Sequence, residues 1–115
     1  MFPLECAVKS TLVAGYLTIT VVGAMVQATV EEWREEIATS VRDSRARVMD
    51  LDLRRTTFLD DRGIEAIISA QRQFRGRHRV RVIVRDDSQI HQALLRAQLG
   101  SLVDLIVTPI VRGHA

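Results

Sequence analysis

Cysteine is almost absent from this 115-residue chain. Cys6 stands alone, which excludes an internal disulfide and fits a reducing compartment. Aromatic residues make up only 4% of the sequence, too few for the stacking platform that binds single-stranded nucleic acid. Lysine is equally scarce: Lys9 is the one lysine, against fifteen arginines. The formal net charge is +2, so nothing global demands a nucleic-acid partner. The glycines are scattered singly and form no phosphate-cradling loop. No serine sits in a nucleophile elbow, and Cys6 has no histidine near it in sequence. His78 and His91 lack metal-ligand spacing with Cys6, and His114 lies in a tail. These absences speak against an enzyme, a metal site and a cofactor. No repeat, linker or low-complexity block appears. At 47% hydrophobic content, residues 1–115 are expected to form one domain with an ordinary core.

Charge is also missing from Thr11 to Val30, a stretch long enough to cross a bilayer. Its pattern is wrong for a span. Tyr16-Leu17-Thr18-Ile19-Thr20-Val21 alternates with the period of a half-buried strand. Gly15 and Gly23 bracket that alternation as turn punctuation, and the acidic run after Thr29 opens a helix. No basic n-region or short apolar run with a cleavage site marks a signal peptide. The expectation is no membrane span.

What is present alternates strand with helix. Strands are predicted at residues 4–10, 15–22, 46–53, 79–85 and 103–108, the last ending before Pro109. A helix over 28–42 places Val30, Trp33, Ile37 and Val41 on one stripe, with Thr29 and Glu32 spaced as a capping box. A second helix, 61–74, turns Ile64, Ile67 and Ile68 inward and stops at Gly76, with Arg72 and Arg75 near its negative end. A third, 88–99, starts at a Ser88 cap, buries Ile90, Leu94 and Ala97, and stops at Gly100. Met49, Leu51 and Leu53 share one face of their strand while Asp50 and Asp52 share the other, which is expected to be wet. Polar residues on two strands imply that helices cover mainly one face of a mixed α/β sheet of four to five strands.

Residues 72–85 hold the densest basic patch: Arg72, Arg75, Arg77, His78, Arg79, Arg81 and Arg85. Alternation puts Arg79, Arg81 and Arg85 on the open face, where cross-strand pairing with Asp50 and Asp52 explains them without a ligand. An anionic partner or lipid headgroup is the sharper reading of the same residues.

The most informative stretch is residues 52–63, Asp-Leu-Arg-Arg-Thr-Thr-Phe-Leu-Asp-Asp-Arg-Gly. It joins a strand end to a helix start and sets two carboxylates at the joint. Helix chemistry alone accounts for them, with Asp60 as cap and Asp61 as a favourable charge in the first turn. Thr56 and Thr57 are hydroxyl candidates for phosphate, although bonding to nearby backbone is their simpler role.

This stretch resembles the signature loop of STAS domains, the family of bacterial anti-sigma-factor antagonists, where the pattern runs roughly Asp-Leu-Ser-Gly-Val-Thr-Phe-Ile-Asp-Ser-Ser-Gly. The agreement covers Asp52, Leu53, Thr57, Phe58, Leu59, Asp60 and Gly63, and the element order of residues 12–108 follows the family. The departures are Arg54 and Arg55 at small positions, Arg62 in place of a small hydroxylated residue, and Asp61 where the phosphorylated serine stands. The family's C-terminal helix is expected to be shortened or absent, since Val111-Arg112-Gly113-His114-Ala115 is too short for one.

The resemblance implies a STAS-like single domain and a cytoplasmic, non-enzymatic regulator of transcription. It would bind an anti-sigma factor of the serine-protein-kinase type by partner switching. Asp61 would be the phosphosite equivalent, and Thr57, Phe58, Asp60, Asp61, Arg62, Gly63, Glu65 and Gly23 the partner-binding residues. Phosphoserine brings about −1.5 to −2 charges. Asp61 brings one: either it weakens kinase docking permanently, or it leaves docking intact and removes the off switch, the outcome that Arg62 beside it would favour by neutralising it. The resemblance also admits a STAS subunit of a lipid-transport ABC system or of a stress-sensing assembly. An uncovered sheet edge or face offers a route to a homodimer. A response-regulator receiver is excluded, because it needs an acidic pair after its early strands and a lysine for the phosphate.

Overall fold

The computed structural model describes residues 5–43, 45–74, 79–86, 88–98 and 103–109. The first two strands form an antiparallel hairpin, β1 (Cys6–Val13) and β2 (Tyr16–Met25). Ala14 and Gly15 make its turn with φ of 51° and 84°, both positive, as a type I′ connection requires. Strand β2 runs past Gly23, which was expected to close it. Gly23 instead sits at a register shift inside the strand with φ of 108°, and its N–H donates to the Arg55 carbonyl at 3.1 Å. A Cβ there would collide with the Glu5 carbonyl oxygen.

A 3₁₀ turn (Gln27–Thr29) leads into α1 (Val30–Asp43). Thr29 does not form the expected capping box with Glu32. Its buried hydroxyl donates back to the Ala24 carbonyl and accepts the Trp33 indole N–H at 3.1 Å. The turn and the buried indole both need a partner, and this one hydroxyl serves both.

Strand β3 (Val48–Asp52) breaks at Leu53–Arg55 and resumes as β4 (Thr56–Leu59). Strand β4 is one more than the sequence suggested; four residues are too few to show a period. Then come α2 (Asp61–Phe74), β5 (Arg79–Arg85), α3 (Gln89–Arg96) and β6 (Asp104–Thr108). Ser88 caps α3 as expected, accepting from the His91 N–H at 3.0 Å. The helix ends earlier than expected, with Gln98 at φ of 58° just beyond it. The expected stops at Gly76 and Gly100 lie outside the described residues.

The sheet is mixed and six-stranded, in the order β1-β2-β3-β5-β6 with β4 also paired to β2. Strands β3 and β4 lie in series along one edge of β2, both parallel to it. Leu17, Ile19, Val21, Met49, Leu51, Val80, Val82 and Val84 meet Trp33, Ile37, Val41, Ile67, Ile90 and Leu94 in one core. Each large side chain fully buried there contributes about 1.5–3 kcal/mol. Thr11–Val30, uncharged throughout, is absorbed by β1, β2, the 3₁₀ turn and the first residue of α1. Among the described residues, no helix is long and apolar enough to cross a membrane.

The opposite face differs from the expected wet surface. Asp50 and Asp52 are each only 8% exposed. Arg81, directly across the ladder from Asp50, grips it with two hydrogen bonds of 2.6 and 2.7 Å and stacks 5.8 Å from the Tyr16 ring centroid. Arg54 clasps Asp52 at 3.0 and 2.8 Å. Arg79 pairs with Asp104. The arginine stems cover what alternation alone would leave to solvent. Of the basic patch, Arg75, Arg77 and His78 lie outside the described residues.

Candidate functional site

The corner from β4 into α2 is built around Asp60. Its Oδ1 accepts the N–H groups of Arg62 and Gly63 at 3.0 and 3.2 Å, and its carbonyl accepts that of Ile64 at 3.0 Å. The second oxygen, Oδ2, accepts the Gln27 N–H at 2.8 Å. One carboxylate therefore caps α2 and ties it to the turn that opens α1. Gly63 is buried in the first turn, where a Cβ would strike the Leu59 side chain and lie 2.5 Å from the Met25 carbonyl oxygen. The absent side chain lets α2 sit against the end of β2.

Asp61 follows as the first residue of α2 and is exposed, with no side-chain hydrogen bond or ion pair among the described residues. Arg62 does not neutralise it. The guanidinium reaches Glu65 instead, at 3.5 Å on an exposed turn. Thr57 is exposed, and Phe58 keeps 53% of its surface in solvent although it belongs to a strand. Thr56 is buried, and its hydroxyl donates to the Val21 carbonyl at 2.9 Å. That removes Thr56 from the accessible hydroxyls and leaves Thr57.

Thr57, Phe58, Asp60, Asp61, Arg62, Gly63 and Glu65 thus occupy one continuous corner. Gly23 lies beneath its start, in register with Thr56. Two grooves flank it. One, of about 610 Å³ between α1 and α2, is lined by Gln27, Glu31, Arg34, Arg62 and Glu65 among others. The other, of about 400 Å³, runs from Phe58 and Leu59 to Ile90, Ala93 and Arg96 of α3. Sequence reasoning missed the contribution of α1; the off-stripe position of Glu31 and Arg34 was the one available signal.

Among the described residues, no three His, Cys, Asp or Glu side chains gather where they would hold a metal. Burial pushes the Cys6 thiol up to about 11, with the Glu32 charge adding to the effect, so it is a poor nucleophile. Burial alone would raise the Asp52 carboxyl, yet the Arg54 hydrogen bonds and the Arg54 and Arg85 charges hold it below the usual carboxylate range. That ion pair stiffens the break between β3 and β4, one step behind the corner.

Known proteins share this fold. The family model of the STAS domain matches residues 7–111. An anti-sigma factor antagonist from Mycobacterium paratuberculosis is similar in structure, with a TM-score of 0.81 at 17% identity over 89% of this chain and 86% of that one. The anti-sigma factor antagonist SpoIIAA in its unphosphorylated form gives a TM-score of 0.67 at 17% identity, over 92% and 90%. The Bacillus cell fate determinant SpoIIAA in its phosphorylated form gives 0.62 at 17% identity, over 92% and 93%. No curated protein sequence matches the chain. At such identity the structural likeness speaks for the fold, while the family match spans nearly the whole sequence. This chain belongs to the STAS domain family.

Proposed function

We propose that this protein is an anti-sigma-factor antagonist whose docking corner carries a charge fixed by the gene. Its partner is an anti-sigma factor of the protein-kinase type, and its contribution is binding, not catalysis. The observation that carries this reading is Asp61: exposed, unpaired among the described residues, and held at the head of α2 by the bonds to Asp60. In the family a serine stands there, and its phosphorylation adds about −1.5 to −2 charges and three acceptor oxygens that break the fit. Asp61 has one charge and two planar oxygens, so it leaves docking intact and removes the off switch. Thr57 and Phe58 beside it, with Arg62 and Glu65 one turn on, supply a mixed apolar and polar contact.

The test has two stages. Affinity capture with identification by mass spectrometry is expected to return a kinase-type anti-sigma factor; a transporter ATPase or a set of sibling STAS proteins in its place would sink the proposal. The purified pair is then given labelled ATP. Wild type should take up no phosphate and stay bound, whereas Asp61→Ser should be labelled and released. Stable label on Thr57 of wild type would contradict a fixed charge.

A further inference from the structure

The end of the sheet farthest from that corner carries a second surface. Strands β2, β3, β5 and β6 are parallel, so α1, α2 and α3 all start at the corner end and finish at the other. The β1–β2 turn lies at this finishing end. The Gly15 carbonyl accepts the Arg47 N–H at 2.8 Å, and the Arg47 carbonyl accepts that of Arg79 at 3.1 Å, which fixes the turn, the approach to β3 and the start of β5 side by side.

Two features coincide there. Leu12, Val13 and Tyr16 flank the turn with 57%, 68% and 48% of their surfaces exposed. They do not line either groove described above. Around them stand exposed Arg45 and Arg47, with Arg42 and Arg72 in the last turns of α1 and α2. The acidic residues placed at this end are Asp43, last in α1, and Asp50 and Asp104, already paired with Arg81 and Arg79. The corner end leans the other way, with Glu31, Glu32, Asp52, Asp60, Asp61, Glu65 and Asp86 against Arg34, Arg54, Arg55, Arg62 and Arg85. An exposed apolar turn with arginines at the same end of the sheet is the pairing that an anionic bilayer rewards: the aliphatic tips enter the headgroup region while the guanidinium groups meet phosphate. The lengthwise separation of charge also turns the molecule so that this end faces a negative surface.

We propose that the β1–β2 turn, with Arg45 and Arg47, is a peripheral contact surface for anionic lipid bilayers. Bound in this way, the domain presents the Asp61 corner away from the lipid, free for a partner. The contact does not depend on the identity of that partner.

Flotation of the full chain with phosphatidylcholine vesicles containing phosphatidylglycerol, against phosphatidylcholine alone, tests it. The protein should partition onto the anionic vesicles only, and less as salt is raised. Arg45→Gln with Arg47→Gln should lower partitioning about 25-fold, taking about fivefold for each arginine near the surface. Val13→Ser with Leu12→Ser, a separate variant of exposed positions, should weaken it without changing its salt dependence. Arg34→Gln, which removes one charge on the first half of α1, should bind as wild type does. Equal partitioning onto neutral vesicles would overturn the proposal, as would equal loss in Arg34→Gln. So would binding of soluble polyglutamate with no binding of vesicles.

Discussion

The two ends of this sheet are constructed on opposite terms. At the corner end, one carboxylate, one buried glycine and the 3₁₀ turn leave the chain a single path into α2. At the hairpin end, two residues turn the chain with few side-chain constraints, and Ala14 accepts a left-handed conformation that a Cβ disfavours by about 1 kcal/mol. Constraint at the corner fixes where one free carboxylate points. Looseness at the hairpin leaves apolar side chains projecting. A small domain holds both because the shared core lies between them.

Substitutions separate these terms. Gly23→Ala carries the largest expected effect: the left-handed backbone and the Glu5 carbonyl both oppose a side chain, for a loss of about 3 kcal/mol in chemical denaturation. Gly63→Ala should follow at about 1–3 kcal/mol, because α2 must move off β2. The neighbouring acids then divide. Asp60→Ala should cost about 1–2 kcal/mol through the lost cap. Asp61→Ala should cost less than about 1 kcal/mol, since the helix loses one favourable exposed charge and no bond. If the two losses were equal, Asp61 would be a structural residue and the contrast between the carboxylates would fail.

The Asp52–Arg54 pair gives a pH test. The folded-state pKa of Asp52 is depressed, so its contribution is present above the unfolded value of about 3.9 and fades as pH falls through the folded value. Asp52→Asn should therefore be less stable than wild type at pH 7, and its stability should depend less on pH below about 4. The smallest effect belongs to the hairpin. Ala14→Asn should raise stability by about 0.5 kcal/mol, because asparagine tolerates the left-handed turn better.

Much of this architecture is legible in the residues themselves. Both α2 and β5 fall where periodicity puts them, and the Arg81–Asp50 pairing follows from alternation on adjacent strands. The corner is legible too, because a cap and a glycine at fixed spacing have few other uses. Three features were not. The four residues of β4 are too short to carry a period. Thr29 has the spacing of a cap, but burial beneath Trp33 redirects its hydroxyl, and only tertiary packing reveals that. The low exposure of Asp50 and Asp52 depends on where long arginine stems lie, which a strand pattern does not encode.

Strand β2 is bonded along both sides, to β1 on one and to β3 and then β4 on the other. Opening it means melting two ladders together, so the amides of Ile19 and Val21 should exchange with deuterium only when the whole domain unfolds. Among the described residues, strand β6 has a neighbour on one side and can peel alone. The slowest-exchanging protons in the molecule should therefore include those of the strand that links the hairpin tip to the Asp60 corner.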